Sequence, residues 1–386
     1  MKKVLIYDDI LSGHHQEYLT HLYNGANSIK SKDVSFIFVV PQTIKQTDNI
    51  LNRNFNNNIS IDYLSSEEII KTESKWYLIS SLNKSIILRK YIKKHNVDEV
   101  FLVTLCHPMP LLPLFMPHGV KVSGIIYRIY FYEYNKLRFI RKIKDYIENL
   151  VIAKSDVIDT PYVLNDNSAT CYYNHFFKTN KFRKLVDPIL PLSTEPQNLK
   201  NELSILPCEN TFLHFGYMTK RKGTIKILDA LLLCKNYKNK VFIFAGIVGD
   251  DIKSEFYSKV SELINKGVKI IIFDEFCSYE KLCNLCYTAD CIIVPYSNIS
   301  YSSGVIGYAS LFNKTIIGPK FGLPGKLILR NKMGLTIDTN KVESIAFAID
   351  SFTIKNNVVI SKYIETNSVI NFIKQIYDKY IFENNL

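Results

Sequence analysis

With 386 residues the chain is too long for one ordinary domain and long enough for two. Apolar residues make up 47% and charged residues 22%, which excludes a disordered polypeptide, and no run approaches the roughly 18 apolar residues of a membrane span. The net charge of +12 reflects a lysine-rich composition, or else attraction to an anionic surface, membrane or nucleic acid.

Residues 3–7 read as a first buried strand, because Asp8 and Asp9 cut the apolar stretch too short for a signal peptide. Ser12-Gly13-His14-His15 follows that strand and is not a GxGxxG dinucleotide fingerprint. Gly13 allows a ligand to approach the backbone, and His14 or His15 is a candidate donor or proton carrier; the alternative is a surface histidine at a helix start. A helix is expected at 15–28, a strand at 35–40, a long helix near 73–95 and a strand at 99–104. His107, just after that strand, is a candidate proton carrier. Arg128, after a strand at 121–127, is a candidate for offsetting phosphate charge. A structural histidine and a salt-bridged arginine are the competing readings.

Residues 135–155 form a basic amphipathic helix pattern. Lys136, Arg138, Arg141, Lys142 and Lys144 stand against Leu137, Phe139, Ile140, Ile143, Ile147 and Leu150. Such a helix lies at a lipid interface, or covers a sheet with a solvated basic face. After a strand at 157–160, the proline-dense stretch 187–196 and Pro207 mark a boundary. The expected division is a Rossmann-like acceptor-binding domain at 1–190, a linker at 191–208, a Rossmann-like nucleotide-sugar domain at 209–365, and a C-terminal helix at 366–386 packing back on the first domain.

The second half repeats the alternation, with strands at 211–215, 241–245, 269–273, 291–294 and 315–317. Helices are expected near 224–234, 252–265, 279–288, 303–312 and 368–380. This grammar predicts parallel sheets with crossover helices, in two α/β domains facing across a cleft. Two motifs stand at strand ends. The loop Gly216 to Gly223 carries Lys220, Arg221 and Lys222, enough cationic charge for a diphosphate, unless it is a solvated basic turn. At Ser302-Ser303-Gly304 a helix opens, offering backbone N–H groups, two hydroxyls and the positive end of its dipole. Plain N-capping by serine is the alternative there.

Eight cysteines are scattered, and Cys283-Asn284-Leu285-Cys286 lacks a second pair at zinc spacing, so buried thiols in a reducing, cytoplasmic compartment are expected. The acidic pairs Asp8-Asp9 and Asp250-Asp251 lack supporting oxygen ligands, so no metal and no cofactor are expected. No nucleic-acid-reading motif accompanies the basic charge.

The second half resembles the nucleotide-binding domain of retaining GT-B glycosyltransferases of the family-four type. Four stretches carry the resemblance: Phe215-Gly216 to Lys222-Gly223, Ala289-Asp290 to Pro295, Ser302-Ser303-Gly304 through Lys314 to Gly318, and Val186-Asp187-Pro188. The opening Ser12 to Tyr18 is similar to some members of the group. Tyr217 stands where the family carries arginine, and Ser300 and Tyr308 stand where it carries two glutamates, the second of which holds the ribose. The family's first-domain catalytic histidine falls near Arg128 or at His107.

The resemblance implies retaining, metal-independent transfer of a hexose from a UDP- or GDP-linked sugar to a hydroxyl of a glycan acceptor, in bacterial surface polysaccharide biosynthesis. Arg221, Lys222, Ser302, Ser303 and Gly304 would hold the diphosphate, with Lys222 also catalytic. Phe276 and Tyr308 would lie at the base and ribose, and Gly13 and His14 on the acceptor side. The implied partners are the donor, a glycan or lipid-linked glycan, and an anionic membrane at the inner face of the plasma membrane, without nucleic acid. Another cleft enzyme such as a nucleotide-sugar epimerase, or a catalytically silent nucleotide-sugar-binding protein, remains open.

Overall fold

Near-continuous apolar runs such as Val34–Pro41 and Lys240–Ala245 have no polar face to give to water, so each strand must be covered on both sides. The outcome is two parallel sheets with crossover helices. The computed structural model describes all residues except 11–14, 30, 45–57, 137, 298, 354–360 and 382–386, together with the side chains of 135, 136, 361, 379 and 381. The expected candidates Gly13 and His14 lie outside the described residues. Two compact units emerge: Met1–Tyr130 with Tyr134–Val186 and Val369–Leu386, and Asp187–Ser368 with Phe131–Glu133.

The first unit holds β1 (Lys2–Tyr7), β2 (Val34–Pro41), β3 (Ile59–Leu64), β4 (Glu99–Leu102), β5 (Lys121–Ile126), β6 (Ile158–Leu164) and β7 (Arg183–Leu185). Their order is β3-β2-β1-β4-β5-β6-β7. Its helices are α1 (His15–Ser28), α2 (Ser66–Thr72), α3 (Tyr77–His95), α4 (Leu112–Phe115), α5 (Phe139–Lys154) and α6 (Asn167–Phe177). The second unit holds β8 (Asn210–Phe215), β9 (Lys240–Ala245), β10 (Lys269–Phe273), β11 (Cys291–Ile293), β12 (Thr315–Pro319) and β13 (Gly334–Ile337), in the order β10-β9-β8-β11-β12-β13. Its helices are α7 (Thr224–Leu233), α8 (Lys253–Asn265), α9 (Tyr279–Thr288), α10 (Gly304–Leu311), α11 (Gly322–Arg330), α12 (Val342–Asp350) and α13 (Ser361–Thr366).

In each sheet the chain winds outward in one direction and then returns. Thus β4 pairs directly with β1, Tyr7 opposite Leu102, and β11 pairs directly with β8, Leu213 opposite Ile292. Where strand order reverses, the helices leaving the two strands cover opposite faces, and a crevice opens at the carboxyl ends.

The sequence reading placed the centres of most strands and missed edges. Strands β3, β7 and β13 and helices α2, α4, α6, α11, α12 and α13 were not expected. β7 has three residues, and α11 opens with Gly322 and Pro324, both poor helix signals. The strand expected to end at Thr160 continues through Pro161 to Leu164, because the β5–β6 register shifts between Val122 and Gly124.

Two features of the first unit have a physical logic of their own. The C-terminal helix α14 (Val369–Ile381) packs on α1: Phe372 meets Tyr18 at 5.2 Å, and the Tyr377 hydroxyl donates to the Leu22 carbonyl at 2.8 Å. Gly25 makes this approach possible, since a Cβ there would lie 2.7 Å from the Tyr377 ring. Helix α5 turns polar side chains inward. Its buried residues include Asp145, Glu148 and Asn149, while Phe139 is 75% and Ile140 82% exposed. The inward polar face is satisfied in part: Arg128 pairs with Asp145 at 3.1 Å and the Tyr77 hydroxyl donates to Glu148, while the buried Asn149 Oδ1 has no hydrogen-bond partner among the described residues. Only the C-terminal end of the helix, at Ile152 and Ala153, buries apolar side chains fully, while the apolar residues of its first half face outward.

Replacing Gly25 with alanine improves helix propensity by about 1 kcal/mol, yet the clash with Tyr377 and Ile373 dominates. We expect a net loss of roughly 1–3 kcal/mol, read as a lower denaturation midpoint at unchanged m-value. An equal or higher midpoint would show that α14 does not press on α1.

Candidate functional site

The crevice of the second unit is bounded by the loop after β8 and the loop after β11. Gly216 ends β8 with φ +99°, and Gly223 opens α7 with φ +75°. Neither position tolerates a side chain. A Cβ on Gly216 would lie 2.8 Å from the Lys222 Nζ, and one on Gly223 would lie 2.2 Å from the Pro295 carbonyl oxygen. The loop is held from outside by backbone bonds. The Met218 N–H donates to Ile247, the Gly249 N–H donates to Met218, and the Asp251 carboxylate accepts from the Lys220 N–H at 3.1 Å. That last bond gives one member of the Asp250-Asp251 pair a structural role.

Lys222 is the cation directed into the crevice. Its ammonium donates to the Tyr296 hydroxyl at 3.2 Å, and Tyr296 lies 3.0 Å from the Ser303 hydroxyl. Ser303 is the N-cap of α10, yet its side chain makes no capping bond. Plain capping does not account for this serine. The first backbone N–H groups of α10 lack intrahelical acceptors by construction and carry the positive end of the dipole. Lysine, tyrosine and serine thus link a fixed cation to an open helix terminus. The Ser297 N–H donates to the Arg221 carbonyl at 3.1 Å, which ties the two loops together while Arg221 and Lys220 stay exposed.

Other candidates distribute around this centre. Ser302 donates to the Asp187 carboxylate at 2.5 Å, so its hydroxyl secures the 187–191 stretch to α10. The Tyr279 hydroxyl donates toward Leu190 and Pro191, and Ile189 covers Gly307, where a Cβ would lie 3.2 Å away. Tyr308 meets Phe215 edge-to-face at 5.5 Å and Tyr279 at 5.7 Å. Phe276, after β10, is 83% exposed, and Tyr217 and Ile247 are exposed at the adjoining ends of β8 and β9. Tyr296 was missed by the sequence reading. It sits two residues beyond the expected strand, and a tyrosine after a Val-Pro strand end carries no motif of its own.

Buried His214 lies beneath this site. Its Nδ1 is 3.0 Å from the Ile293 carbonyl and its Nε2 3.0 Å from the Thr224 hydroxyl. Burial pushes its pKa down to about 4, reinforced by the Lys222 charge and opposed by the Ile293 bond. The neutral ring therefore donates to Ile293 and accepts from Thr224, pinning the start of α7.

In the first unit, each candidate faces a carboxylate. Arg128 is bound to Asp145, and His15 to Asp8 at 2.8 Å. His107 stands 3.9 Å from Asp9 at the carboxyl end of β4. Cys283 and Cys286 are buried thiols, and burial raises both pKa values. Among the described residues, no group of three His, Cys, Asp or Glu side chains is arranged to hold a metal ion.

The sequence matches no family model and no curated protein. As a structure the chain is similar to a glycosyltransferase from Rickettsia africae, at 17% identity over 100% of this chain and 99% of that one, with a TM-score of 0.65. It is similar to HepE from Anabaena in complex with UDP and glucose, at 12% identity over 98% and 99%, with a TM-score of 0.69. It is also similar to WaaG, a glycosyltransferase involved in lipopolysaccharide biosynthesis, at 12% identity over 98% and 99%, with a TM-score of 0.67. At these identities the likeness establishes the fold, which is GT-B with two Rossmann-like units.

Because His214 is neutral in the fold and has an ordinary value near 6.5 when exposed, its contribution to stability is complete above pH 6.5 and is lost as pH falls towards about 4. Over that window stability should fall by up to about 1.4 kcal/mol per pH unit. Denaturation of the wild type and of His214→Asn checks this. The slope should flatten in the variant, and an unchanged slope would assign it to other groups.

Proposed function

We propose that the chain is a glycosyltransferase that moves a hexose from a nucleotide diphosphate sugar to a hydroxyl of a glycan acceptor, with retention at the anomeric carbon. The observation that carries this reading is the Lys222–Tyr296–Ser303 chain, which sets an ammonium beside the N-terminus of α10 at the strand-order reversal. Departure of a nucleoside diphosphate leaves negative charge on the outer phosphate. Lys222, Arg221 and the backbone at Ser303 and Gly304 meet that charge with fixed dipoles and cations rather than a metal ion. Ser302 acts at one remove, through Asp187. Phe276 offers a face for the base, and Tyr308 borders the ribose. Uridine is the favoured base, since HepE, similar in structure, is in complex with UDP and glucose.

On the acceptor side, Gly13 and His14 remain proposed contacts. Of the two catalytic candidates in the first unit, His107 is favoured, because Arg128 already serves Asp145. The acceptor we propose is a lipid-linked surface glycan at the inner face of the plasma membrane. The orientation of α5 supports this: Phe139, Ile140, Ile143 and Ile147 point outward beside exposed Arg138 and Arg141. Trp76, 75% exposed, extends the patch, since Lys144 of α5 lies 3.7 Å from the neighbouring Tyr77 ring. An outward apolar stripe edged with arginine fits an anionic lipid interface.

Lys222→Ala should lower turnover with a UDP-sugar roughly 10²–10³-fold, with unchanged circular dichroism and a diminished thermal shift by UDP. Near-normal turnover would overturn the assignment, and UDP binding without turnover in the wild type would favour a silent binding protein. Separately, Ile140→Glu with Trp76→Glu should cut sedimentation with phosphatidylglycerol vesicles about tenfold while UDP binding persists. Equal sedimentation would remove α5 from the membrane surface.

A further inference from the structure

The first unit has its own strand-order reversal, between β1 and β4, and a narrow pocket sits at the carboxyl ends of those two strands. Tyr7 ends β1, Asp9 follows it, Thr104 and His107 follow β4, and Lys84 reaches in from α3. Three polar atoms here are buried without a hydrogen bond among the described residues: the Tyr7 hydroxyl, the Thr104 hydroxyl and the His107 Nδ1, which faces the Asp9 carboxylate at 3.9 Å. Tyr7 is only 5% exposed. Each such orphan destabilises the fold unless a ligand or water meets it. Three around one opening therefore describe a missing group with both a donor and an acceptor.

The charges of the pocket are already settled. Asp9 is ion-paired with Lys84, and His107 stands 3.9 Å away. Burial pushes Asp9 up, but His107 and Lys84 outweigh it and hold its pKa at about 2. Asp8 is taken by His15. The incoming group is therefore neutral. Burial also raises the Tyr7 pKa well above its usual value, so the phenol keeps its proton and remains a donor. The enclosed space admits a group the size of one hydroxyl, and Leu88, Leu102 and Pro108 supply apolar wall for one carbon.

We propose that this pocket seats the hydroxymethyl group of a pyranose ring in the acceptor, its hydroxyl meeting Tyr7, Thr104 and His107 and its methylene meeting Leu88 and Leu102. The ring would then lie outside the pocket, against the part of His107 that remains exposed. This assignment rests on the glycosyl-transfer reading for the word acceptor, and its test is independent of the donor site.

The test is ligand-observed NMR titration of the full chain with two pairs of methyl glycosides that differ only in the hydroxymethyl: glucoside against xyloside, and galactoside against arabinopyranoside. At least one pair should favour the hexose by about tenfold, and Tyr7→Phe and Thr104→Val should each reduce that ratio towards one. UDP binding, measured on the same samples, should stay unchanged in both variants. A resident structural water predicts no discrimination in either pair. That result, or discrimination that survives both substitutions, would overturn the proposal. Failure of the donor reading would instead show as absent UDP binding in the wild type.

Discussion

A parallel sheet can place a ligand only where its winding reverses. Everywhere else the helix following one strand covers the end of the next. In this chain the reversal occurs twice, between β1 and β4 and between β8 and β11. The candidate residues gather at those two places. Gly216 and Gly223 have no side chain because the loop after β8 must fold back against Pro295 beyond β11 and leave room for the Lys222 ammonium. The site is thus a consequence of strand order, refined by two glycines and a tyrosine.

The electrostatics of the two crevices differ. Several buried or half-buried lysines are paired with carboxylates: Lys84 with Asp9, Lys200 with Asp290, Lys269 with Glu209; others, such as Lys181 and Lys314, donate to backbone carbonyls. Lys222 instead donates to the Tyr296 hydroxyl, which orients the ammonium without cancelling its charge. Among the described residues it has no carboxylate partner. A cation held by a neutral acceptor keeps its full potential for an anion, and the dipole of α10 adds to it. The neutral state of His214 follows from the same field, since a second cation next to Lys222 would be both desolvated and repelled.

Much of this was legible in the sequence, and what was not has physical causes. Apolar β-branched runs revealed the inner strands, because a doubly covered strand has no other way to be written. Edge strands such as β13, whose Gly334 and Leu335 are exposed, carry no such signature. The basic loop and the Ser302-Ser303-Gly304 turn were readable because glycine, serine and lysine at a strand-to-helix junction have few other uses. The division of labour between Ser302 and Ser303 was not readable. Ser302 is committed to Asp187, 115 positions away, and Ser303 to Tyr296. The orientation of α5 was equally hidden. Its pattern shows an apolar stripe, but only Arg128 and Tyr77, distant in sequence, reveal that Asp145 and Glu148 are turned inward.

Tyr308 brings these strands together. A glutamate at that place would accept hydrogen bonds from two vicinal hydroxyls and would also put a negative charge near the phosphates. The tyrosine, packed between Phe215 and Tyr279, offers one hydroxyl and an aromatic edge. It gives up bidentate recognition and spares Lys222 a competing carboxylate. In the proposed donor site, binding free energy would then shift from ribose hydroxyls towards phosphate charge and towards stacking at Phe276, which is exposed enough to take a ring. In the first unit the balance is reversed. Asp8 and Asp9 are each paired, so the crevice between β1 and β4 presents hydroxyls and an imidazole without net attraction for anions. Two crevices of the same topology thus differ in charge, and on the readings proposed above one would take a diphosphate and the other a neutral hydroxyl.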